Sequence, residues 1–259
     1  MKINQAFTIL QNAGGVRAAR IITENAKKLS GIRVRIMAYK LRRGVPVAKI
    51  IKQKWFYGLK FYTNKHTLDP RPDTETLVYA VISDCVDNSA RQILDLGTGT
   101  GCIICSLVKN IPNLSGVAVD ISGLALRVAR KNIKTLGLNY NIKTVRGSFD
   151  NPNLTKHKFD IIVSNPPYIA HNDTRVDTGA MHDPKLALYA DNNGLYAYEQ
   201  IAKNAKNWIK KHGKLYLEIG IGQAADIKNI FYTNGWKFVS AHNDLSGIER
   251  VLVFNTETK

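Results

Sequence analysis

The 259-residue sequence contains no apolar run that approaches the roughly 20 residues needed to cross a bilayer as a helix. It also lacks the charged start, apolar stretch and small-residue cleavage site that together mark a secretory signal peptide. Both absences argue against a membrane span and against the secretory route. We therefore expect a cytoplasmic protein with no membrane partner, and an organelle transit peptide in the basic N-terminus is the alternative interpretation.

Cysteine is scarce, since the chain contains only Cys85, Cys102 and Cys105. An odd, low number argues against a disulfide framework and favours a reducing compartment. Cys102 and Cys105 form a C-x-x-C pair, but the second ligand pair that a zinc site of this type requires is missing. We expect no metal site and interpret both residues as small apolar side chains on a helix behind a glycine-rich loop.

Acidic residues are nearly absent from the first sixty positions. That segment holds 14 Lys and Arg and a single acid, Glu24, so it carries +13 of the formal net charge of +17. Such an asymmetry favours a polyanionic partner for the N-terminal part. Basic helix faces that are merely solvated are the alternative interpretation.

The N-terminal part has the apolar spacing of short helices. A first helix places Ile3, Phe7 and Leu10 on one face and is expected to end at Gly14-Gly15. A third, basic helix and a short fourth are expected to follow the second. The apolar face of the second helix is formed by Ala19, Ile22, Ala26 and Leu29.

Aromatic and roughly alternating residues at 55–68 (WFYGLKFYTNKHTL) predict a β-hairpin that links the helices to the rest of the chain. Asp73 follows a turn bracketed by two prolines and is positioned to cap a helix that runs from Thr76 to Val86. We therefore expect three parts, namely a helical substrate-recognition domain (1–54), a β-hairpin linker (55–72) and an α/β domain (73–259).

Predicted strands and helices alternate from residue 91 onward, which is the pattern of a doubly wound, mostly parallel sheet. The last two strands are joined by a loop too short for a helical crossover, so we expect them to pair antiparallel. A parallel sheet with an antiparallel last strand resembles the Rossmann-like class I methyltransferase fold. The predicted strands are Gln92–Leu96, Gly116–Asp120, Ile142–Arg146, Asp160–Ser164, Lys214–Ile219, Trp236–Ala241 and Arg250–Phe254.

The segment ILDLGTGTG (93–101) predicts a buried strand that runs into a glycine-rich turn before a helix. The glycines permit a tight bend and close approach of a ligand, and the helix start offers unpaired N–H groups. Asp120 ends the next strand, where an acid meets ribose hydroxyls in nucleotide-binding α/β folds. Asp95 favours S-adenosyl-L-methionine, because a carboxylate there can pair with the ammonium group of its methionine part. The turn residues expected to bind this cofactor are Gly97, Thr98, Gly99, Thr100 and Gly101.

The segment FDIIVSNPPYI (159–169) carries the sharpest chemical signal. An apolar strand ends in Asn165-Pro166-Pro167-Tyr168, at the sheet edge where doubly wound folds bind ligands. The prolines remove two N–H donors, which leaves carbonyl and amide oxygens for a planar –NH2 group, and Tyr168 can stack on its flat face. Such acceptors would stabilise the charge that develops when a weakly nucleophilic nitrogen attacks a sulfonium methyl group. We assign catalytic roles to these four residues.

Other segments resemble the release factor glutamine methyltransferases. The resemblance covers about residues 44–254. It implies transfer of a methyl group from S-adenosyl-L-methionine, which becomes S-adenosyl-L-homocysteine, to the side-chain amide nitrogen (N5) of the glutamine in the GGQ motif of peptide chain release factors. The matching segments are FYG (56–58), DPRPDTETLV (69–78), HDPKLALYADNNGLYAYEQI (182–201), LEIGIGQ (217–223) and DLSGIER (244–250).

The resemblance also implies roles for individual residues. Phe149 would lie near the cofactor's adenine, and Asn165 would contact both the cofactor and the glutamine. Arg71, Thr74 and Glu75 would border the cofactor pocket. The departures from the family's pattern are Asp69 in place of an apolar residue, Asp183 in place of glutamate and Phe149 in place of tryptophan.

Three other interpretations stay open. An NPPY site also serves the amino groups of adenine or guanine in RNA or DNA, although the sequence contains no recognisable RNA-binding module beyond its charge. A sister enzyme would methylate a glutamine of a ribosomal protein, and a non-catalytic adaptor would only bind the cofactor. Our main expectation is a monomeric methyltransferase that acts on release factors, with its S-adenosylmethionine-dependent domain at 73–259.

Overall fold

The computed structural model describes residues 1–25, 29–85, 91–154, 158–174 and 179–256. Ala26 and Val86, which the sequence predictions include in helices, lie outside these residues. No described helix is long and apolar enough to cross a membrane. The helices are α1 (Ile3–Asn25), α2 (Gly31–Arg42), α3 (Val47–Ile51), α4 (Glu75–Asp84), α5 (Cys102–Asn110), α6 (Gly123–Thr135), α7 (Asp191–Gly194), α8 (Tyr196–Asn204) and α9 (Ala224–Thr233). The strands are β1 (Gln53–Phe56), β2 (Leu59–Tyr62), β3 (Gln92–Leu96), β4 (Ser115–Asp120), β5 (Ile142–Arg146), β6 (Phe159–Ser164), β7 (Ile209–Glu218), β8 (Trp236–Asn243) and β9 (Glu249–Thr256).

Helices α1 to α3 form a small unit with a core of its own. The chain leaves helical geometry at Gly15 (φ 83°, ψ 170°), where the sequence predicted the end of the first helix, and then resumes it. Helix α2 begins after Ser30, whose hydroxyl caps it by accepting from Arg33 N at 3.4 Å. The buried core residues of this unit are Ala6, Leu10, Ala19, Ile22, Val34, Ala38 and Ile50.

The predicted hairpin is present as β1 and β2, which pair antiparallel. Tyr57 and Gly58 both have positive φ, as a tight two-residue hairpin turn requires. Phe56 and Phe61 are buried in the core of the α/β domain rather than in that of the helices. Asn132 of α6 donates to Tyr62 O and Thr100 O, so it joins the hairpin to the glycine-rich turn. The hairpin is thus anchored to the α/β domain.

The main sheet has seven strands in the order β5-β4-β3-β6-β7-β9-β8. Strand β9 runs antiparallel to both of its neighbours, and the other pairs are parallel. This arrangement confirms the predicted fold class, a doubly wound sheet with an antiparallel last strand. Because the chain crosses from β5 back to β6 beside β3, the carboxyl ends of β3 and β6 flank the crevice where such folds bind ligands.

Two local predictions are wrong. Asp73 does not cap α4, because a 3-10 turn at Pro72–Thr74 already starts the helical geometry, and Asp73 instead pairs with Arg250 at 2.9 Å. Helices were also expected in every interval between strands, but residues 147–154, between β5 and β6, contain none. A Cβ at Gly147 would lie 2.5 Å from Pro152 Cα, so this loop folds back too tightly for a helix.

Helix α5 carries Cys102 and Cys105, both buried as free thiols on the helix behind the glycine-rich turn, as predicted. Burial raises the pKa of both thiols, so neither is a ready nucleophile. Within the described ranges, no group of His, Cys, Asp or Glu is arranged to hold a metal ion.

Candidate active site

A cavity of about 940 Å³ opens at the carboxyl ends of β3, β4 and β6. Its walls come from the glycine-rich turn, the loop after β5, the end of the hairpin linker and the segment that precedes α7. Among the predicted site residues, those that line it are Gly97, Thr98, Gly99, Thr100, Asp120, Phe149, Asn165 and Pro167. The predicted residues outside its wall are Gly101, Pro166 and Tyr168.

The glycine-rich turn adopts backbone geometry that favours glycine. Gly97, Gly99 and Gly101 have φ of 75°, 55° and 79°, in the left-handed region that other residues rarely occupy. Gly97 N and Thr98 N both donate to Val119 O at 2.9 Å, which holds the turn against the end of β4. A Cβ at Gly97 would lie 3.3 Å from the Phe149 ring. The space between the glycine-rich turn and the Phe149 ring is therefore narrow, and we call it the cradle.

Asp120 lines the cavity next to the glycine-rich turn and supports that turn. One carboxylate oxygen accepts from Gly99 N at 2.9 Å and the other from Ser122 N at 2.8 Å. Burial raises the pKa of Asp120, and these two hydrogen bonds partly oppose that shift. The same carboxylate thus lines the cavity and fixes the turn that faces it.

Asp95 lies beneath the turn and not in the cavity wall. One of its oxygens accepts from Thr98 Oγ1 at 2.6 Å, and the other, Oδ1, has no hydrogen-bond partner among the described residues. Burial raises the pKa of Asp95 to about 7. An incompletely partnered carboxylate directly below the cradle suits a ligand that carries a positive charge.

Asn165 occupies the end of β6 and faces the cavity. Its Nδ2 donates to Thr74 Oγ1 at 3.1 Å, and the N–H groups of Asn165 lie on the side of the buried Glu218 carboxyl, whose pKa they lower. Because both neighbours engage the N–H side of the amide, Asn165 Oδ1 is left as an acceptor for a ligand. Burial raises the pKa of Glu218 to about 7, and the hydrogen bonds from Thr74 and Asn165 lower it.

Glu218 is a residue that the sequence interpretation missed. It ends β7, beside the strand that carries Asn165, and its side chain is almost completely buried. A glutamate at the end of an apolar strand (LYLEIG) is the only local signal that it leaves in the sequence. Its contact with Thr74 and Asn165 joins three distant segments, so it becomes visible only in the folded chain.

The backbone of Tyr168 is held from outside the cavity. Gln223 Nε2 donates to Tyr168 O at 3.0 Å, and a Cβ at Gly194 would lie 2.1 Å from the same oxygen. Gly194 has φ of 85°, so both its space and its conformation require glycine. Tyr168 packs with the apolar cluster under β6 and β7, and burial raises the pKa of its hydroxyl. The side chain was expected to stack on a ligand, but it contributes no surface to this cavity.

The residues around the PRPDTE segment divide between the cavity and its supports. Arg71 and Thr74 line the cavity, whereas Glu75 lies outside it and accepts from Tyr57 N at 2.8 Å. Arg71 also pairs with Asp183 at 2.8 Å. The linker end and the segment after NPPY are therefore in direct contact at the cavity rim.

Comparison with known proteins places the chain among methyltransferases. The family model described as "Methyltransferase small domain" matches residues 72–183. The chain is 38% identical to a release factor glutamine methyltransferase of Agrobacterium fabrum, over 86% of this chain and 78% of that protein. It is 36% identical to a bifunctional methyltransferase of Rickettsia prowazekii, over 96% of this chain but 52% of that protein. The chain thus spans about half the length of the bifunctional relatives that it matches.

The fold is shared with solved structures of low sequence identity. The ribosomal protein L11 methylase of Lactobacillus delbrueckii subsp. bulgaricus superposes with a TM-score of 0.55 at 18% identity, over 74% of this chain and 82% of that chain. At that identity the likeness concerns the fold alone.

Proposed function

The chain belongs to the release factor glutamine methyltransferase family, and we propose that it methylates the N5 side-chain nitrogen of the GGQ glutamine in peptide chain release factors, with S-adenosyl-L-methionine as methyl donor. The observation that carries the proposal is the position of Asn165. Its side chain lines the same cavity as the glycine-rich turn, and its amide oxygen is left free by its contacts with Thr74 and Glu218.

The cradle supports S-adenosyl-L-methionine as the methyl donor. Asp120 is placed for ribose hydroxyls, and the Phe149 ring closes the cradle where a flat base would lie. Asp95, whose Oδ1 has no hydrogen-bond partner among the described residues, lies beneath the turn, and we propose that it ionises when the donor's ammonium group binds above it. The donor supplies a methyl group on a positively charged sulfur, and S-adenosyl-L-homocysteine is the product. The turn residues, Asp120 and Phe149 are our proposed cofactor ligands.

Asn165 is proposed to hold the glutamine amide for attack. An amide nitrogen shares its lone pair with the carbonyl group and is a weak nucleophile. When Asn165 Oδ1 accepts from one of its hydrogens, it stabilises the positive charge that builds on the nitrogen as its bond to the methyl carbon forms and the bond between sulfur and methyl breaks. The methylated nitrogen then loses a proton to water, which accepts it readily because the cationic amide is strongly acidic. Pro166, Pro167 and Tyr168 fix the backbone that carries this acceptor.

The helical unit is proposed to bind the release factor through α2. Its outward face carries Ile32, Ile36 and Tyr39, which are 75%, 50% and 60% exposed. These three residues follow one another along one helix face, as the spacing i, i+4, i+7 requires. The cations that flank this stripe are Arg33, Arg35, Lys40, Arg42 and Arg43, all exposed. An apolar centre with a cationic rim fits an acidic protein surface.

Mass spectrometry of a purified release factor incubated with the enzyme and methyl donor tests this function. We expect a gain of one methyl group on the GGQ glutamine and none when that glutamine is replaced by asparagine. Transfer that continues unchanged after the replacement would reject the proposal. Parallel reactions with RNA, DNA and ribosomal protein test the other acceptors. An RNA or DNA substrate would be favoured if methylation of it falls steeply with added salt.

A further inference from the structure

Lys49 of α3 is a buried cation that sequence reasoning did not single out. Only 6% of its side chain is exposed, although exposed bases dominate the segment around it. Its Nζ lies 2.9 Å from Asp69 Oδ1 and 2.7 Å from Asp183 Oδ1. It also donates to the carbonyl oxygens of Asn64 and Thr67 at 2.7 and 2.5 Å. An ammonium group in this position is surrounded by oxygens on several sides.

These contacts connect three segments that are far apart in sequence. Lys49 comes from the helical unit, Asn64 to Asp69 from the end of the hairpin linker, and Asp183 from the segment after NPPY. Asp69 lines the active-site cavity, and Asp183 immediately precedes Pro184, which also lines it. One side chain therefore joins the helical unit to two walls of the cavity.

The cluster is balanced in charge. Lys49 and Arg71 supply two positive charges, while Asp69 and Asp183 supply two negative ones. Asp183 Oδ1 accepts no hydrogen bond from the described residues, and its ion-pair partner is Lys49.

Lys49 is coupled to the rest of the helical unit. Ile50, the next residue, is buried in the core formed by α1, α2 and α3. The loop before α3 also approaches the residue that precedes Asp183, since a Cβ at Gly44 would lie 3.8 Å from His182 Nε2. A rigid shift of the helical unit would therefore pull on Asp183 and on the residues that follow it.

We propose that Lys49 is a positioning residue that fixes the helical unit against the cavity wall at 183–187. The distance and orientation between α2, where the substrate docks, and the cavity, where its glutamine binds, are thereby kept constant. The kinetic test of this inference depends on the proposed function, because it uses a release factor as the substrate. Its structural part, the tie between the two regions, stands independently of the acceptor.

The experiment compares Lys49→Met, Lys49→Arg and the double variant Lys49→Met/Asp69→Asn with the wild-type chain. Lys237→Met on the exposed strand β8 is the control for loss of a surface lysine. Each protein is measured for hydrogen exchange at residues 183–190, for binding of S-adenosyl-L-homocysteine, for thermal unfolding and for kcat and KM with a release factor. The exchange readout reports on amides such as Leu188 N, which donates to Lys185 O, and Ala190 N, which donates to Ile169 O.

We expect Lys49→Met to raise KM for the release factor about 10-fold and to speed exchange at 183–190, with product affinity within about twofold of wild type. It should also unfold at lower temperature, because Asp69 or Asp183 loses its counter-ion. The double variant removes the surplus negative charge, so its thermal stability should recover. Its KM and its exchange should stay altered, because the link is still missing. Lys49→Arg keeps the charge and should retain most of the protection.

Recovery of KM and exchange together with stability in the double variant would overturn the inference, because Lys49 would then only balance charge. Unchanged exchange in Lys49→Met would overturn it as well. If Lys49→Met does not fold, the double variant is compared with the wild-type chain instead. If the wild-type chain does not methylate the release factor, the proposed function fails, while the exchange measurement still decides whether Lys49 holds the two regions together.

Discussion

The helical unit and the α/β domain distribute charge in opposite ways. In the α/β domain, carboxyl groups such as Asp95 and Glu218 are buried beneath or beside the cavity, where burial raises both pKa values to about 7. In the helical unit, the charges are almost all basic and exposed, and they flank an apolar stripe on α2. Among the described residues of the helical unit, Lys49 differs from this pattern, since it is a buried base that pairs with acids of the other region.

This difference predicts that the two regions respond differently to substitution. A buried acceptor network depends on hydrogen bonds of defined length and direction, so each member should be sensitive to substitution. An exposed cationic surface acts through many weak and partly screened interactions, so single substitutions should have smaller effects. We therefore expect the largest losses from changes around Asn165 and the smallest from changes on α2.

Asn165→Ala should produce the largest effect. The substitution removes Oδ1, the acceptor that we propose stabilises the developing charge, so kcat should fall by about 10²–10³-fold. Affinity for the cofactor, measured by calorimetry with S-adenosyl-L-homocysteine, should change by less than about threefold, because we propose that most cofactor contacts come from the glycine-rich turn and Asp120. Equal loss of turnover and cofactor affinity would mean that Asn165 serves the cofactor and not the acceptor.

Glu218→Gln should alter the pH dependence of stability. Burial raises the pKa of Glu218 from 4.5 to about 7, so the folded protein keeps a proton that the unfolded chain releases. The stabilising contribution is full below pH 4.5 and is lost as the pH rises through about 7. The wild type should therefore lose stability relative to Glu218→Gln across this window, by a few kcal/mol at most, or about 10²-fold in the folding equilibrium.

Denaturant unfolding at pH 4.5, 6 and 8 measures this difference. Asp95 is present in both proteins, so its own titration cancels in the comparison. Curves that stay parallel from pH 4.5 to 8 would show that Glu218 has the same pKa in the folded protein as in the unfolded chain. The buried acids of the α/β domain would then be stabilised as anions, and the contrast with the helical unit would be weaker.

The predictable part of the molecule is the part that depends on local backbone pattern. Gly97 to Gly101 and the NPPY segment can be recognised in the sequence, because their glycines and prolines directly follow apolar strands. In the structure both segments lie at the carboxyl ends of strands, β3 and β6. Predictions from one side chain were weaker. Asp73 has the chemistry of a helix cap, but Pro72 starts the helical turn before it and Arg250 attracts its carboxylate.

Contacts between distant segments were not predictable. Glu218 meets Thr74 and Asn165, and Lys49 meets Asp69 and Asp183, across separations that no local periodicity records. Tyr168 was expected in the cavity because its ring can stack, but Gln223 and the lack of space at Gly194 decide its backbone position. A sequence shows which residues can act, whereas the partner of each buried charge depends on the topology.

Charge reversal on α2 should produce the smallest effect and the most selective one. Arg35→Glu combined with Arg42→Glu places repulsive charge on the rim of the stripe, so KM for a whole release factor should rise about 10-fold at low salt and less at high salt. A short peptide that contains the GGQ motif does not reach α2, so its slow methylation should be unchanged, and Lys237→Glu should affect neither substrate. If the α2 variant lost activity equally on the protein and the peptide, the substitution would be acting on the cavity itself, and the helical unit would not be a separate recognition surface.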